Sequence, residues 1–221
     1  MLARDIIADS IPPVKTSDPA ALVLDWMGEF KVAHLPIVNH ENLLGIVSED
    51  DLLELEDLSL PVGNMQLMIP AEAFVMENSH FFEAAKLMAL YKLDILPVVD
   101  EQKRYSGLIT KSDLVSRLTT LVGAGEPGGI IELEVPINNY MVSEIGRICE
   151  SNDAKIISLT TSFSADHSIL QVTIKLNIRE LSRVVSSFQR FNYTIRGVMF
   201  DAEQIDDVRS NYENLLRYLS I

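Results

Sequence analysis

A self-similarity with a period of about 61 residues constrains this chain more than any other feature. The segment VAHLPIVNHENLLGIVSEDDLLEL (32–55) aligns with LDILPVVDEQKRYSGLITKSDLVSR (93–117). Pro36 meets Pro97 at an offset of 61, and Gly45 meets Gly107 at 62, so the second copy has one extra turn residue. Beyond that, Ser48 matches Thr110 and Asp51 matches Asp113. Upstream, DPAALVLDWMGEF (18–30) matches SHFFEAAKLMALY (79–91), with Met27 opposite Met88.

Each copy reads the same way. A cap signal, Asp18 before Pro19 or Asn78-Ser79, opens a helix. Val23, Met27 and Phe30 fall at helical spacing in the first copy, and Ala85, Met88 and Tyr91 in the second. A short β-rich run follows, then a polar turn, a second strand and another helix. Short buried strands beside helices predict an α+β unit that cannot cover its apolar faces alone, so the copies pack together.

At these residues the sequence resembles a tandem pair of CBS (cystathionine β-synthase-type) domains, with residues 1–60 as the first repeat and 61–122 as the second. The resemblance implies two βαββα units with a cleft that takes adenosine-containing ligands and regulates an attached or partner protein. On that basis the [ST]-x-x-D elements bind nucleotide. Thr110 and Ser48, with free helix N–H groups, would meet a phosphate, and Asp113 and Asp51 a ribose diol. Backbone near Ile95 and His34 would meet adenine. The same pattern also reads as a helix capping box with no ligand, and the sequence leaves both readings open.

The two copies differ in charge. Residues 1–60 hold three bases and twelve acids, whereas 61–125 hold six and seven. Ser48-Glu49-Asp50-Asp51 would repel phosphate unless a divalent cation intervened. Thr110-Lys111-Ser112-Asp113 offers Lys111 instead, so the second copy is expected to dominate binding. The expected regulatory ligand is AMP, ADP, ATP or S-adenosylmethionine, with or without Mg²⁺. No cofactor is required and no metal centre is expected.

After a Gly/Pro linker (123–129) the pattern changes. IIELEV (130–135) alternates like a strand, and Asn138-Asn139 is expected to cap a helix bearing Met141, Ile145 and Ile148. Residues 155–163 and 169–177 read as a hairpin. Residues 178–191 read as a helix with Leu181, Val184, Val185 and Phe188 on one side, and 193–200 as a last strand. The order βαββαβ over 130–200 is ferredoxin-like and resembles an ACT domain. The whole layout is similar to the acetoin-utilisation B-type proteins. The resemblance implies pairing between copies and amino-acid binding. The ligand loop at 135–140 nevertheless lacks the glycine that close backbone approach favours. Residues 201–221 are expected to form a terminal amphipathic helix.

Other classes fare poorly. A net charge of −14 repels nucleic acid and anionic lipid. The longest uncharged stretch, 58–71, contains two prolines and is too short to span a membrane. The single Cys149 precludes an intramolecular disulfide. His34, His40, His80 and His167 lack metal-ligand spacing, and no catalytic motif is present. The expectation is a non-enzymatic, cytoplasmic homodimer that senses an adenosyl ligand and acts on a regulated protein. The alternatives are a ligand-free interaction scaffold and an amino-acid sensor acting through the ACT-like segment.

Overall fold

The computed structural model describes residues 1–200 except 9, 66, 68, 71 and 166. The expected terminal helix at 201–221 lies outside the described residues. The chain divides into two units, Met1–Arg117 and Leu118–Ile221.

The first unit holds both repeats up to Arg117, within the last helix of the second copy. The first copy comprises α1 (Ala20–Phe30), β1 (His34–Asn39), β2 (Asn42–Ser48) and α2 (Glu49–Leu53). The second comprises β3 (Val75–Met76), α3 (Phe81–Tyr91), β4 (Ile95–Val99), β5 (Tyr105–Thr110) and α4 (Lys111–Leu121). The offset survives in three dimensions. A parallel bridge Val14↔Ile37 stands where β3 pairs with β4 through Val75↔Val98. The antiparallel pairs β1–β2 and β4–β5 each carry a bulge at the same place, between Ile37 and Val38 and between Val98 and Val99. Helices α1 and α3 both end in a left-handed lysine, Lys31 (φ 56°) and Lys92 (φ 55°), whose N–H groups bond the carbonyls of Met27 and Met88.

The copies depend on one another at their glycines. A Cβ on Gly45 would lie 2.5 Å from Leu67 Cδ1, and one on Gly107 would lie 2.5 Å from Ile7 Cγ2. The stretch preceding each copy therefore covers the glycine of the other. Gly107 also has φ +144°, which side chains rarely adopt. The bridge Ala8↔Leu108 fixes this exchange, and Leu108 is fully buried.

Two helix starts differ from expectation. Asp18 accepts the Lys15 N–H at 2.8 Å and leaves Pro19 at the cap of α1. At α3, His80 Nδ1 accepts the Phe82 N–H at 3.3 Å, while the Asn78 side chain is engaged by Arg4 and Glu101. Phe81 then enters the core, which sets the buried face of α3 at 81, 84 and 88 and leaves Ala85 and Tyr91 half-buried.

The second unit contains β6 (Gly129–Pro136), α5 (Val142–Glu150), β7 (Ile156–Phe163), β8 (Ile169–Leu176), α6 (Ser182–Arg190) and β9 (Thr194–Phe200). Its sheet is fully antiparallel in the order β7-β8-β6-β9, the split βαββαβ arrangement. Ile131, Leu133 and Val135 of β6 alternate onto one face with Val172 and Ile174 of β8. Against them pack Ile145, Ile148 and Cys149 of α5, and Leu181, Val184 and Phe188 from α6 and its cap. Gly128 admits the chain to β6: its φ is +149°, and a Cβ there would sit 1.9 Å from the Leu176 carbonyl oxygen.

Asn138 and Asn139 do not cap α5. They close a short 3₁₀ turn, Ile137–Asn139, and Met141, half exposed, occupies the cap position. Helix α6 begins at Ser182 rather than 178, because the Glu180 carboxylate takes the Ser182 N–H at 2.9 Å and ends the preceding loop. No helix among the described residues is long and apolar enough to cross a membrane.

Candidate functional site

Strand pairing sets the site. Ile95 stands opposite Thr110 across β4–β5, and His34 opposite Ser48 across β1–β2. Each sheet therefore delivers its Ser or Thr to a helix start directly beside the strand that carries the conserved-spacing proline of that copy.

Both helix starts are capped. In the first copy Asp51 N–H donates to Ser48 Oγ at 3.1 Å, and Ser48 N–H donates to Asp51 Oδ2 at 3.0 Å, a reciprocal box. In the second, Asp113 N–H donates to Thr110 Oγ1 at 3.1 Å. Asp113 Oδ2 is turned to the Thr110 hydroxyl at 2.5 Å, and Ser112 Oγ lies 2.9 Å from the same hydroxyl. The capping reading thus accounts for these residues in both copies without a ligand. It does not account for the cavity at the second of them.

A cavity of about 930 Å³ opens at the start of α4. It is lined by Thr110, Lys111, Ser112 and Asp113, by Val115 and Ser116 of the next turn, and by Asp94. The first copy contributes Ser10, Ile11 and the Phe30-Lys31-Val32 end of α1 to the lining. Of the seven residues expected to bind nucleotide, Thr110, Lys111 and Asp113 line this cavity together. Ile95 is fully buried behind the wall. Ser48, Asp51 and His34 are not part of its lining. The volume lies in the range of small-molecule and cofactor sites.

His34 has a different partner. Its Nδ1 lies 2.5 Å from Asp94 Oδ1, and Ala33 N–H donates to Asp94 Oδ2 at 2.5 Å. Asp94 of the second copy thereby clasps the first copy at two adjacent residues. The repeat places Ala33 where the other copy has Asp94, so the clasp has no counterpart across the pseudo-twofold. Burial pushes the Asp94 carboxyl up, but the His34 ring and the Ala33 N–H outweigh it and hold the group below the usual carboxylate range.

That direction fixes a pH dependence. A carboxyl depressed in the folded state contributes stability above its unfolded value of about 3.8 and loses it as pH falls through the lower folded value. The Asp94→Ala variant is expected to lose roughly 1–3 kcal/mol at pH 7, because two half-buried donors lose their acceptor. Urea titrations at pH 7 and at pH 3 check this: the gap between variant and wild type narrows in acid. A gap that is constant or wider at pH 3 contradicts the assignment.

Asp94, Lys31 and the Phe30–Val32 wall were not anticipated from the motifs. The only sequence signal for Asp94 is its mismatch with Ala33 in otherwise aligned copies. Lys31 carries none, because a left-handed cap is not marked by residue type when it is not glycine.

A second cavity, about 440 Å³, lies in the second unit at the loop after β6. Its lining includes Asn138, Asn139, Glu134, Glu144 and Tyr193, and the Tyr193 hydroxyl donates to Glu144 Oε2 at 2.7 Å. No Lys or Arg is among the described residues lining it, but Arg147 lies 3.9 Å from Glu144 and Arg196 3.8 Å from Glu134. Cys149 is fully buried, and desolvation followed by the nearby Glu150 charge pushes its thiol up to about 11, which suits an inert core thiol. No cluster of three metal-ligating side chains occurs among the described residues.

Comparison with known proteins agrees with the duplicated architecture. The CBS domain family model matches residues 3–57 and 62–120, more than half of the chain. The inosine-5'-monophosphate dehydrogenase of Bacillus subtilis is 25% identical over 157 residues, covering 68% of this chain. The match spans only 31% of that enzyme's length. A CBS domain pair/ACT domain protein of Thermotoga maritima is 26% identical, with a TM-score of 0.49 over 54% of this chain and 98% of that one. CBSX2 of Arabidopsis thaliana, solved in complex with AMP, is 29% identical, with a TM-score of 0.46 over 54% of this chain and 96% of its own. With two copies matched in tandem along the segment whose repeat, paired bulges and exchanged covers have been described, the chain belongs to the CBS-domain family.

Proposed function

We propose that this chain is a non-catalytic regulatory sensor that takes an adenine nucleotide, or a related adenosyl compound, in the cavity at the start of α4. The observation that carries this reading is the convergence of Thr110, Lys111 and Asp113 on one sizeable cavity. A hydroxyl and a lysine at a helix start suit a phosphate, and the nearby carboxylate suits a sugar diol. The cavity is walled by both copies, so a ligand there touches both and can bias their arrangement. Regulation requires different affinities for two such arrangements.

The second unit has the strand order of an ACT domain, and we read it as the module through which two chains pair and pass the change to a regulated protein. The layout is then that of the acetoin-utilisation B-type proteins. The nucleotide reading is preferred to amino-acid sensing because three residues expected to bind nucleotide share one cavity.

Thermal unfolding against AMP, ADP, ATP, NAD and S-adenosylmethionine, with and without Mg²⁺, tests the reading. A ligand at about 100 times its dissociation constant stabilises by roughly 2.7 kcal/mol. For a chain of this size that raises Tm by about 5–10 °C. Such a rise with one adenosyl compound is the expected outcome. No rise with any of them at millimolar concentration favours the ligand-free scaffold.

A further inference from the structure

We propose that Lys31, supplied by the first copy, is a second phosphate-facing cation of the α4 cavity, and that the site therefore selects adenosine di- or triphosphates over the monophosphate. This deepens the nucleotide reading above and rests on it.

The argument begins with the left-handed cap. Lys31 ends α1 at φ 56°, where the chain reverses, and it joins Phe30, Val32 and Lys111 in the cavity lining. Lys31 is exposed, and neither lysine has a carboxylate partner among the described residues. The lining also holds two carboxylates, each hydrogen-bonded within the fold. Asp94 takes the Ala33 N–H and the His34 ring, one on each oxygen, and Asp113 takes the Thr110 hydroxyl. The two lysines come from separate elements, so a ligand with more than one phosphate can meet both.

The repeat supplies the control. At the pseudo-equivalent positions of the other copy, Lys92 stands for Lys31, Glu49 for Lys111, Asp50 for Ser112 and Asp51 for Asp113. The aligned positions there carry one lysine and three acids, so the sequence repeats Lys31 but not the second cation.

Calorimetric titration of the full chain with AMP, ADP and ATP in metal-free buffer tests the proposal, using wild type, Lys31→Asn and Lys31→Arg. Asparagine tolerates the left-handed backbone, so the variant removes charge without straining the cap. Wild type is expected to bind ADP and ATP about tenfold or more tightly than AMP, the scale of one charge-assisted contact. Lys31→Asn should abolish that preference while leaving AMP affinity within about twofold, and Lys31→Arg should retain it. An ADP-to-AMP ratio that is unchanged in Lys31→Asn overturns the role of Lys31, as does a wild type that binds AMP as well as ADP, and in either case the nucleotide site stands. A wild type that binds none of the three overturns the site reading itself.

Discussion

Replacing Thr110 and Asp113 together by alanine is expected to weaken adenine-nucleotide binding on the order of a hundredfold. Two polar contacts, at least one to a charged group, would be lost, at about 1.5–3 kcal/mol for each charged contact. The pair also caps α4, so the variant loses roughly 1–2 kcal/mol of stability whether or not a ligand binds. Ser48→Ala with Asp51→Ala separates the two effects. It removes the equivalent box from α2, whose hydrogen bonds are of the same length class, and so costs a similar amount of stability. It lies outside the cavity lining and should leave nucleotide affinity unchanged. Calorimetric affinity and urea unfolding of both double variants decide the matter. Equal loss of affinity in the two, or full affinity in Thr110→Ala with Asp113→Ala, would reduce both motifs to helix caps.

The second large effect concerns the unit that the family match does not cover. Phe188→Ala is expected to destabilise the Leu118–Ile221 unit by about 3–5 kcal/mol. Phe188 is fully buried among Ile145, Ile148, Val184 and the β6 and β8 side chains, and its ring meets Tyr193 edge-on at 5.4 Å. Truncation leaves a ring-sized void between α6 and the sheet and removes that aromatic contact. Phe188→Leu keeps most of the volume and should cost distinctly less. Urea-induced unfolding measures both. A loss below about 1 kcal/mol for Phe188→Ala would mean that α6 does not seal this core.

Much of the fold can be read from residue spacing, for a physical reason. The 61-residue offset repeats local chemistry, and local chemistry sets strands, turns and helix starts. Pro36 with Pro97 and Gly45 with Gly107 therefore predict matching sheets, and the structure adds a bulge beside each glycine. In the second unit, strict alternation in 130–135 and 169–177 reports which face of β6 and β8 is buried.

Periodicity is silent about what crosses between copies. Nothing along the chain says that Ile7 lies on Gly107 and Leu67 on Gly45, since that exchange depends on how two similar sheets face each other. Asp94 illustrates the same limit. Its role arises from a partner 60 residues away, and only the mismatch with Ala33 marks it. Cap assignments failed where two chemistries competed. Asn138 and Asn139 suit a helix cap and a tight turn equally, and the chain uses them in the 3₁₀ turn. The site was legible in part: Thr110, Lys111 and Asp113 share one helix start. Ile95 pairs with Thr110 and turns its side chain into the core, and its expected role rests on its backbone. Lys31 and its neighbours in the lining come from the other copy, which residue spacing does not bring near.

The central claim is that one copy, and not both, holds an adenine nucleotide. The most direct test is the stoichiometry of binding, measured by isothermal titration of the intact protein with ADP and ATP. One nucleotide per chain is the predicted result. Two per chain would show that the acidic first-copy start also binds and would contradict the asymmetry built from Lys31, Lys111 and Asp94. None would contradict the sensor itself.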